Sequence, residues 1–272
     1  MTSTPLSAEA PGAMRATGLG TALASLRLGV SRTAAAWPVL AGRCVFYLLI
    51  MIVLSALWDK VAAERIAGAL RLPGDLAVYV GVTEWITLSL PSLHLRLEDE
   101  IRGGGLEPHL LRPKSFLPMA FTQAYGEGLV RMVALGLTGL ALLAISGRDA
   151  PSLPVLGYLL VLGPLGLAIG MLLYALAGLS AFWARRTLPF QLVIQKFMFL
   201  LGGLFAPVSL YPHGLREFAE GGPFASHLYW AAAQTLQPSW PVFLRGLAQD
   251  LVWLAVLSGV CAALWSAGLR RV

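Results

Sequence analysis

Six predominantly apolar runs divide the chain, at about residues 38–58, 75–95, 119–146, 153–182, 188–210 and 243–268. A helix needs about 20 such residues to cross a hydrocarbon core ~30 Å thick. In lipid every backbone N–H and C=O must find its partner within the segment, so runs of this kind fold as helices. The reading is an all-α integral membrane protein with six transmembrane helices. It forms one domain over 1–272, with residues 1–36 as a cytoplasmic and interfacial N-terminal segment and 37–272 as the six-span core. Composition agrees, because the chain is 57% hydrophobic and only 12% charged, against about 25% charged in soluble domains.

Arginine and lysine set the orientation. Arg15, Arg27, Arg32, Arg43, Arg96, Arg102, Arg112, Lys114, Arg185, Arg186, Arg270 and Arg271 fall on one side of the six runs. Lys60, Arg65, Arg71, Arg148, Arg216 and Arg245 fall on the other. Twelve against six places both termini in the cytoplasm under the positive-inside rule. A net charge of +6 would point to nucleic acid in a soluble domain, but here the basic residues sit in short loops beside apolar spans and read as orientation signals. Residues 1–36 lack the basic, apolar and cleavage regions of a secretory signal, so the amino terminus is expected to be retained.

The chain carries no recognisable catalytic chemistry. Cys44 and Cys261 lie in apolar runs, and four scattered histidines show no ligand spacing, so neither a disulfide framework nor a metal site is indicated. No Gly-Lys-Ser/Thr sequence occurs, and Lys60, Lys114 and Lys196 follow no Gly-rich loop. The run Gly178-Leu179-Ser180-Ala181-Phe182 lacks the final glycine and the preceding strand of a hydrolase elbow. The sequence therefore predicts a protein that is not itself an enzyme.

Before the first run, Met14, Leu19, Leu23, Leu26 and Val30 recur at helical spacing among Arg15, Arg27 and Arg32, which predicts an amphipathic helix at the membrane interface. Trp37, Trp58, Trp183, Trp240 and Trp265 stand near run ends and read as interfacial anchors. After the fifth run, Gly202, Gly203, Pro207, Pro212, Gly214, Gly221, Gly222, Pro223 and Pro238 interrupt apolar pieces too short to span, which predicts two re-entrant helical pieces on the outer side. Gly166 and Gly170 provide the small-xxx-small spacing of close helix packing. Among ionisable residues within the runs, Glu127 and Arg131 are four apart and form a candidate structural intramembrane pair. Lys196 can snorkel towards the interface. Glu84, near the centre of the second run, is a candidate substrate-pathway residue or a buried helix–helix hydrogen-bonding group.

Between the second and third runs lies EDEIRGGGLEPHLLRPKS, residues 98–115, too polar for the bilayer. Glu100 precedes Gly103 to Gly105, and Leu106, Glu107, Leu110, Leu111, Arg112 and Pro113 then form a short amphipathic piece. This pattern resembles the cytoplasmic coupling loop of permeases of type-2 exporter-class ABC transporters. The Gly203, Pro207, Pro212, Leu215 and Pro223 pattern after the fifth run resembles the same family, and among its subfamilies the viologen-exporter-like permeases of bacteria. The resemblance implies a permease in a bacterial plasma (inner) membrane, with a cytoplasmic coupling helix between spans 2 and 3. It implies ATPase coupling through Glu100, Gly105, Leu106, Glu107, Leu110, Leu111 and Pro113. ATP and Mg would then be bound by two copies of a partner ATPase and not by this chain, and the substrate path would form with a second, homologous but different permease. Two other classes remain open on the residues alone: a secondary transporter driven by an ion gradient through Glu84, and a non-transporting membrane scaffold.

Overall fold

The computed structural model describes residues 18–63, 76–103 and 116–271, and all regular structure among them is helical. Eleven α-helices are described: α1 (Gly18–Ala35), α2 (Trp37–Ala63), α3 (Leu76–Ser89), α4 (Leu93–Arg102), α5 (Phe116–Ile145), α6 (Leu153–Leu179), α7 (Leu188–Leu201), α8 (His213–Gly221), α9 (Pro223–His227), α10 (Tyr229–Leu236) and α11 (Trp240–Leu269). Prolines sit where a helix start tolerates a missing N–H: Pro154, Pro189, Pro223 and Pro241 all fall in first turns. Ser239 caps α11, its Oγ accepting from the Val242 N–H at 3.3 Å.

Among the described residues five stretches are long and apolar enough to cross a membrane: Trp37–Lys60, Leu76–Arg102, Phe116–Ile145, Leu153–Phe182 and Trp240–Leu269. The fifth apolar run of the sequence differs from expectation. Its helix α7 has only 14 residues, about 21 Å at 1.5 Å per residue, short of a ~30 Å core. It stops because Gly202 ends it and Gly203 takes a left-handed backbone with φ +74°, a conformation that glycine adopts freely. The Tyr79 hydroxyl donates to the Gly203 carbonyl at 2.7 Å and Thr83 donates to the Leu204 carbonyl at 3.1 Å, so side chains of α3 answer the backbone groups that this turn releases.

The Leu76–Arg102 and Leu153–Phe182 stretches form the interior, 72% and 67% buried, whereas Trp37–Lys60 is only 11% buried and presents its apolar surface outward. Their core holds Tyr79, Ile86, Leu162, Leu167, Ile169 and Met171. The chain between α7 and α11, where two re-entrant pieces are expected, forms a 3₁₀ turn at Val208–Leu210 and three short helices, α8 to α10. Helices α9 and α10 pack against α6 and α11. Gly166 and Gly170, expected to allow close helix packing, receive the helix α9 of this insert: a Cβ at Gly166 would lie 2.4 Å from the His227 carbonyl oxygen, and one at Gly170 2.4 Å from the His227 ring.

One expectation gains detail and another changes. In α1, Leu19 and Leu23 are exposed, and the face that packs is the one carrying Ser25 and Gly29, laid against α5. Trp37, Trp183 and Trp240 are exposed as anchors should be, but Trp265 is buried, between Phe116 and Phe182 at ring separations of 5.8 and 5.7 Å.

Candidate functional site

The second apolar stretch is broken at Pro91. Proline restricts the residue before it to extended conformations and cannot donate within a helix, so α3 ends at Ser89 and α4 begins at Leu93. The break leaves carbonyls at the end of α3 without helical partners, at the negative end of its dipole. Two arginines from other helices fill the gap. Arg43 of α2 donates to the Leu88 carbonyl at 3.1 Å, and Arg131 of α5 donates to the Leu90 carbonyl at 2.9 Å.

Helix α4 is fixed along its whole length. Leu93 and Leu97 are fully buried, and α4 packs on α6. Its approach requires Gly178, where a Cβ would lie 2.8 Å from the His94 carbonyl oxygen. The His94 ring stacks on Tyr174 at 4.9 Å. Arg96 Nη2 lies 2.8 Å from Glu127 Oε1. Thr187 donates to Glu98, Arg102 Nε lies 3.3 Å from Glu98 Oε1, and Arg102 Nη2 donates to the Ala184 carbonyl at 2.7 Å. The end of α4 is thus tied to α5, to α6 and to the Ala184–Thr187 connection that leads into α7.

The Glu127–Arg131 pair expected from spacing is present but secondary. Arg131 Nη2 lies 3.9 Å from Glu127 Oε2, while the shorter bond of Glu127 runs to Arg96. The reason is the Pro91 break, which gives Arg131 a carbonyl to cap. A further element joins here that the sequence did not reveal. Helix α1 crosses α5 on the turn that carries Glu127, with Gly29 and Gly126 at the crossing. A Cβ at Gly29 would lie 2.0 Å from the Gln123 carbonyl oxygen, and one at Gly126 2.4 Å from that of Leu26.

Of the expected coupling residues, Glu100 lies half-buried near the end of α4. Gly105, Leu106, Glu107, Leu110, Leu111 and Pro113 lie outside the described residues. Glu84 is 7% exposed on α3. It lies near Tyr47 of α2, whose hydroxyl donates to the Gly81 carbonyl at 3.0 Å. It lies apart from the walls of a cavity of about 530 Å³ between α2, α3, α5 and α6, lined by groups such as Met51, Trp85, Met132 and Leu156. Lys196 lies 6.0 Å from the Phe199 ring. Among the described residues no group of three or more His, Cys, Asp or Glu side chains could hold a metal ion.

The insert carries its own ion pairs. Glu220 accepts from Arg216 at 2.7 Å and lies 3.4 Å from Arg245, whose guanidinium sits 5.1 Å from the Trp230 ring. The hydrogen bond to Glu220 holds the Arg216 guanidinium above its ordinary value. The insert also carries buried polar atoms that the sequence reading passed over, on Ser226, His227, Trp230, Gln234 and, opposite them, Asp250 of α11. The signal available was an aspartate inside an apolar run.

A family model described as ABC-2 family transporter protein matches residues 75–272, well over half of the chain. No curated protein and no solved structure matches it.

Proposed function

Because the chain belongs to the ABC-2 transporter family, a family of multi-pass membrane components of ABC transporters, we propose that it is the permease of an ATP-driven exporter of the viologen-exporter-like kind in a bacterial inner membrane. ATP and Mg would be bound by two copies of a separate ATPase. The substrate path would form between this subunit and a second, homologous permease. The segment 98–115 would be the dock, with Glu100, Gly105, Leu106, Glu107, Leu110, Leu111 and Pro113 against the ATPase.

The observation that carries this reading is the bracing of α4. A force applied to the segment after Arg102 reaches α5 through Arg96–Glu127 and reaches the start of α7 through Glu98–Thr187 and Arg102–Ala184. Rigid-body transmission of this kind needs an element that cannot slip on its neighbours. Changing Leu110 and Leu111 to Asp puts charge into an apolar contact. Co-purification of the ATPase should then fall while membrane insertion stays normal, and undiminished co-purification would remove the segment as the main dock.

In the same reading both termini are cytoplasmic, and α7 together with residues 202–210 completes a sixth crossing, which puts α8 to α10 on the outer side. Leu215 and Phe218 are exposed on α8. Single cysteines there, in a background without Cys44 and Cys261, should react with an impermeant thiol reagent added from outside; reaction only from the cytoplasm would overturn this topology. Glu84 would meet the pathway when α2 moves away from α3. Glu84→Gln should then lower export of cationic substrates while assembly is retained, and unchanged export would leave Glu84 a packing residue.

A further inference from the structure

At the level of Gly166 and Gly170 on α6, the short helix α9 brings Ser226 and His227 between α6 and α11, with Asp250 of α11 opposite. Asp250 stands ten residues beyond Trp240, about 15 Å along the helix and so near half the depth of a ~30 Å core. It is 1% exposed, and Ser226 and His227 are 3% and 0% exposed. Ser226 lies within reach of the Asp250 carboxylate, and among the described residues neither of these groups nor His227 Nε2 finds any other hydrogen-bond partner.

The chemistry of these orphans is one-sided. A carbonyl cannot donate, so His227 Nδ1, 2.8 Å from the Gly166 oxygen, carries the proton in that bond. In neutral imidazole Nε2 is then a lone-pair acceptor. The Asp250 carboxylate and the Ser226 hydroxyl therefore meet at one buried level, with no cation of the described residues paired to them. The charged side chains facing this part of the seam are Arg245 of α11 and Glu220 of α8, and these are engaged with each other and with Arg216. A buried carboxylate at this depth takes up a positive charge or stays neutral.

We propose that Asp250 and Ser226 form a binding site for a single monovalent cation, either a sodium ion or a proton held by the carboxylate. The seat is hydroxyl and carboxylate oxygen, which suits a hard monovalent ion. Gly166 and Gly170 keep His227 against α6, so α9 can reach the site only where these two positions lack side chains. The site therefore sits where the insert meets the core, and its occupancy would govern how firmly the insert is held.

The test needs neither ATPase nor transported substrate, so its failure is separate from failure of the exporter reading. The purified chain in lipid nanodiscs is unfolded thermally, followed by tryptophan fluorescence, with sodium chloride exchanged for choline chloride at constant ionic strength. Sodium should raise the midpoint by about 3 °C or more. Ser226→Ala should reduce this shift and Asp250→Asn should abolish it. If the proton is the ligand, sodium has no effect, and the infrared spectrum shows a carboxylic-acid C=O band that disappears in Asp250→Asn and persists in Glu84→Gln. Absence of both the sodium shift and the Asp250-dependent band overturns the proposal, as does a full sodium shift in both Ser226→Ala and Asp250→Asn.

Discussion

Two breaks in helical structure are handled in opposite ways. At Pro91 the backbone groups released by the break are met by charged side chains from other helices, Arg43 and Arg131, and the following helix is cross-tied by Arg96–Glu127 and Glu98–Thr187. In the insert between α7 and α11 the released backbone is met by Tyr79 and Thr83, but His227, Trp230 and Gln234 keep buried polar atoms without partners among the described residues, and Ser226 and Asp250 of α11 have none beyond each other. An unsatisfied buried polar group costs about 1–3 kcal/mol. Unpartnered atoms are not confined to the insert, since the His94 ring and Arg96 Nη1 on α4 have no partner among the described residues; the regions differ in that α4 is cross-tied to other helices by charged side chains, while the insert and α11 gather such atoms on five residues around a buried acid.

The comparison breaks if substitutions at the two regions behave alike. The largest effect is expected at the α1–α5 crossing, which covers the braced turn: Gly126→Leu meets the Leu26 backbone and should cost about 3 kcal/mol, read as the greatest fall in thermal midpoint of the purified chain. Next comes Glu127→Leu, which leaves Arg96 and Arg131 without their carboxylate. With Arg96 about a third exposed, the buried-pair penalty is reduced to about 2 kcal/mol, and a midpoint equal to wild type would remove the brace from the picture. Arg131→Met, which orphans the Leu90 carbonyl, should cost about 1–2 kcal/mol. The smallest change sharpens the contrast. Gln234→Leu removes two unpartnered amide atoms and should be neutral or raise the midpoint slightly; a large loss there would show that Gln234 is satisfied and that the insert resembles the braced end.

Most of the long helices were legible because a span announces itself by about 20 apolar residues. The Pro91 break was legible in principle, since a proline inside an apolar run ends or bends the helix, but the second run was read as continuous to about residue 95. The partner of Glu127 was not legible: Arg131 is its neighbour by spacing, while Arg96 lies 31 residues away and reaches it only through the docking of α4 on α6. Glycines were legible as close contacts but not in what they contact, because Gly166 and Gly170 look the same whether they seat a long helix or the His227 ring. The run 188–210 carried enough apolar residues to span, yet the left-handed turn at Gly203 ends its helix after 14 residues. Asp250 was passed over because a lone acid in an apolar run gains meaning only once α9 is placed opposite it.

The most direct measurement of the coupling proposal uses the same two regions. A photoreactive benzophenone is attached to a single cysteine at Glu100, near the end of α4, and in a second protein at Phe218 on α8, both without Cys44 and Cys261. Each is irradiated in membranes that contain the ATPase. The expected result is a covalent adduct with the ATPase from position 100 and none from position 218. An adduct from position 218, or none from position 100 in a complex that still co-purifies, would contradict the assignment of the α4 end as the coupling side.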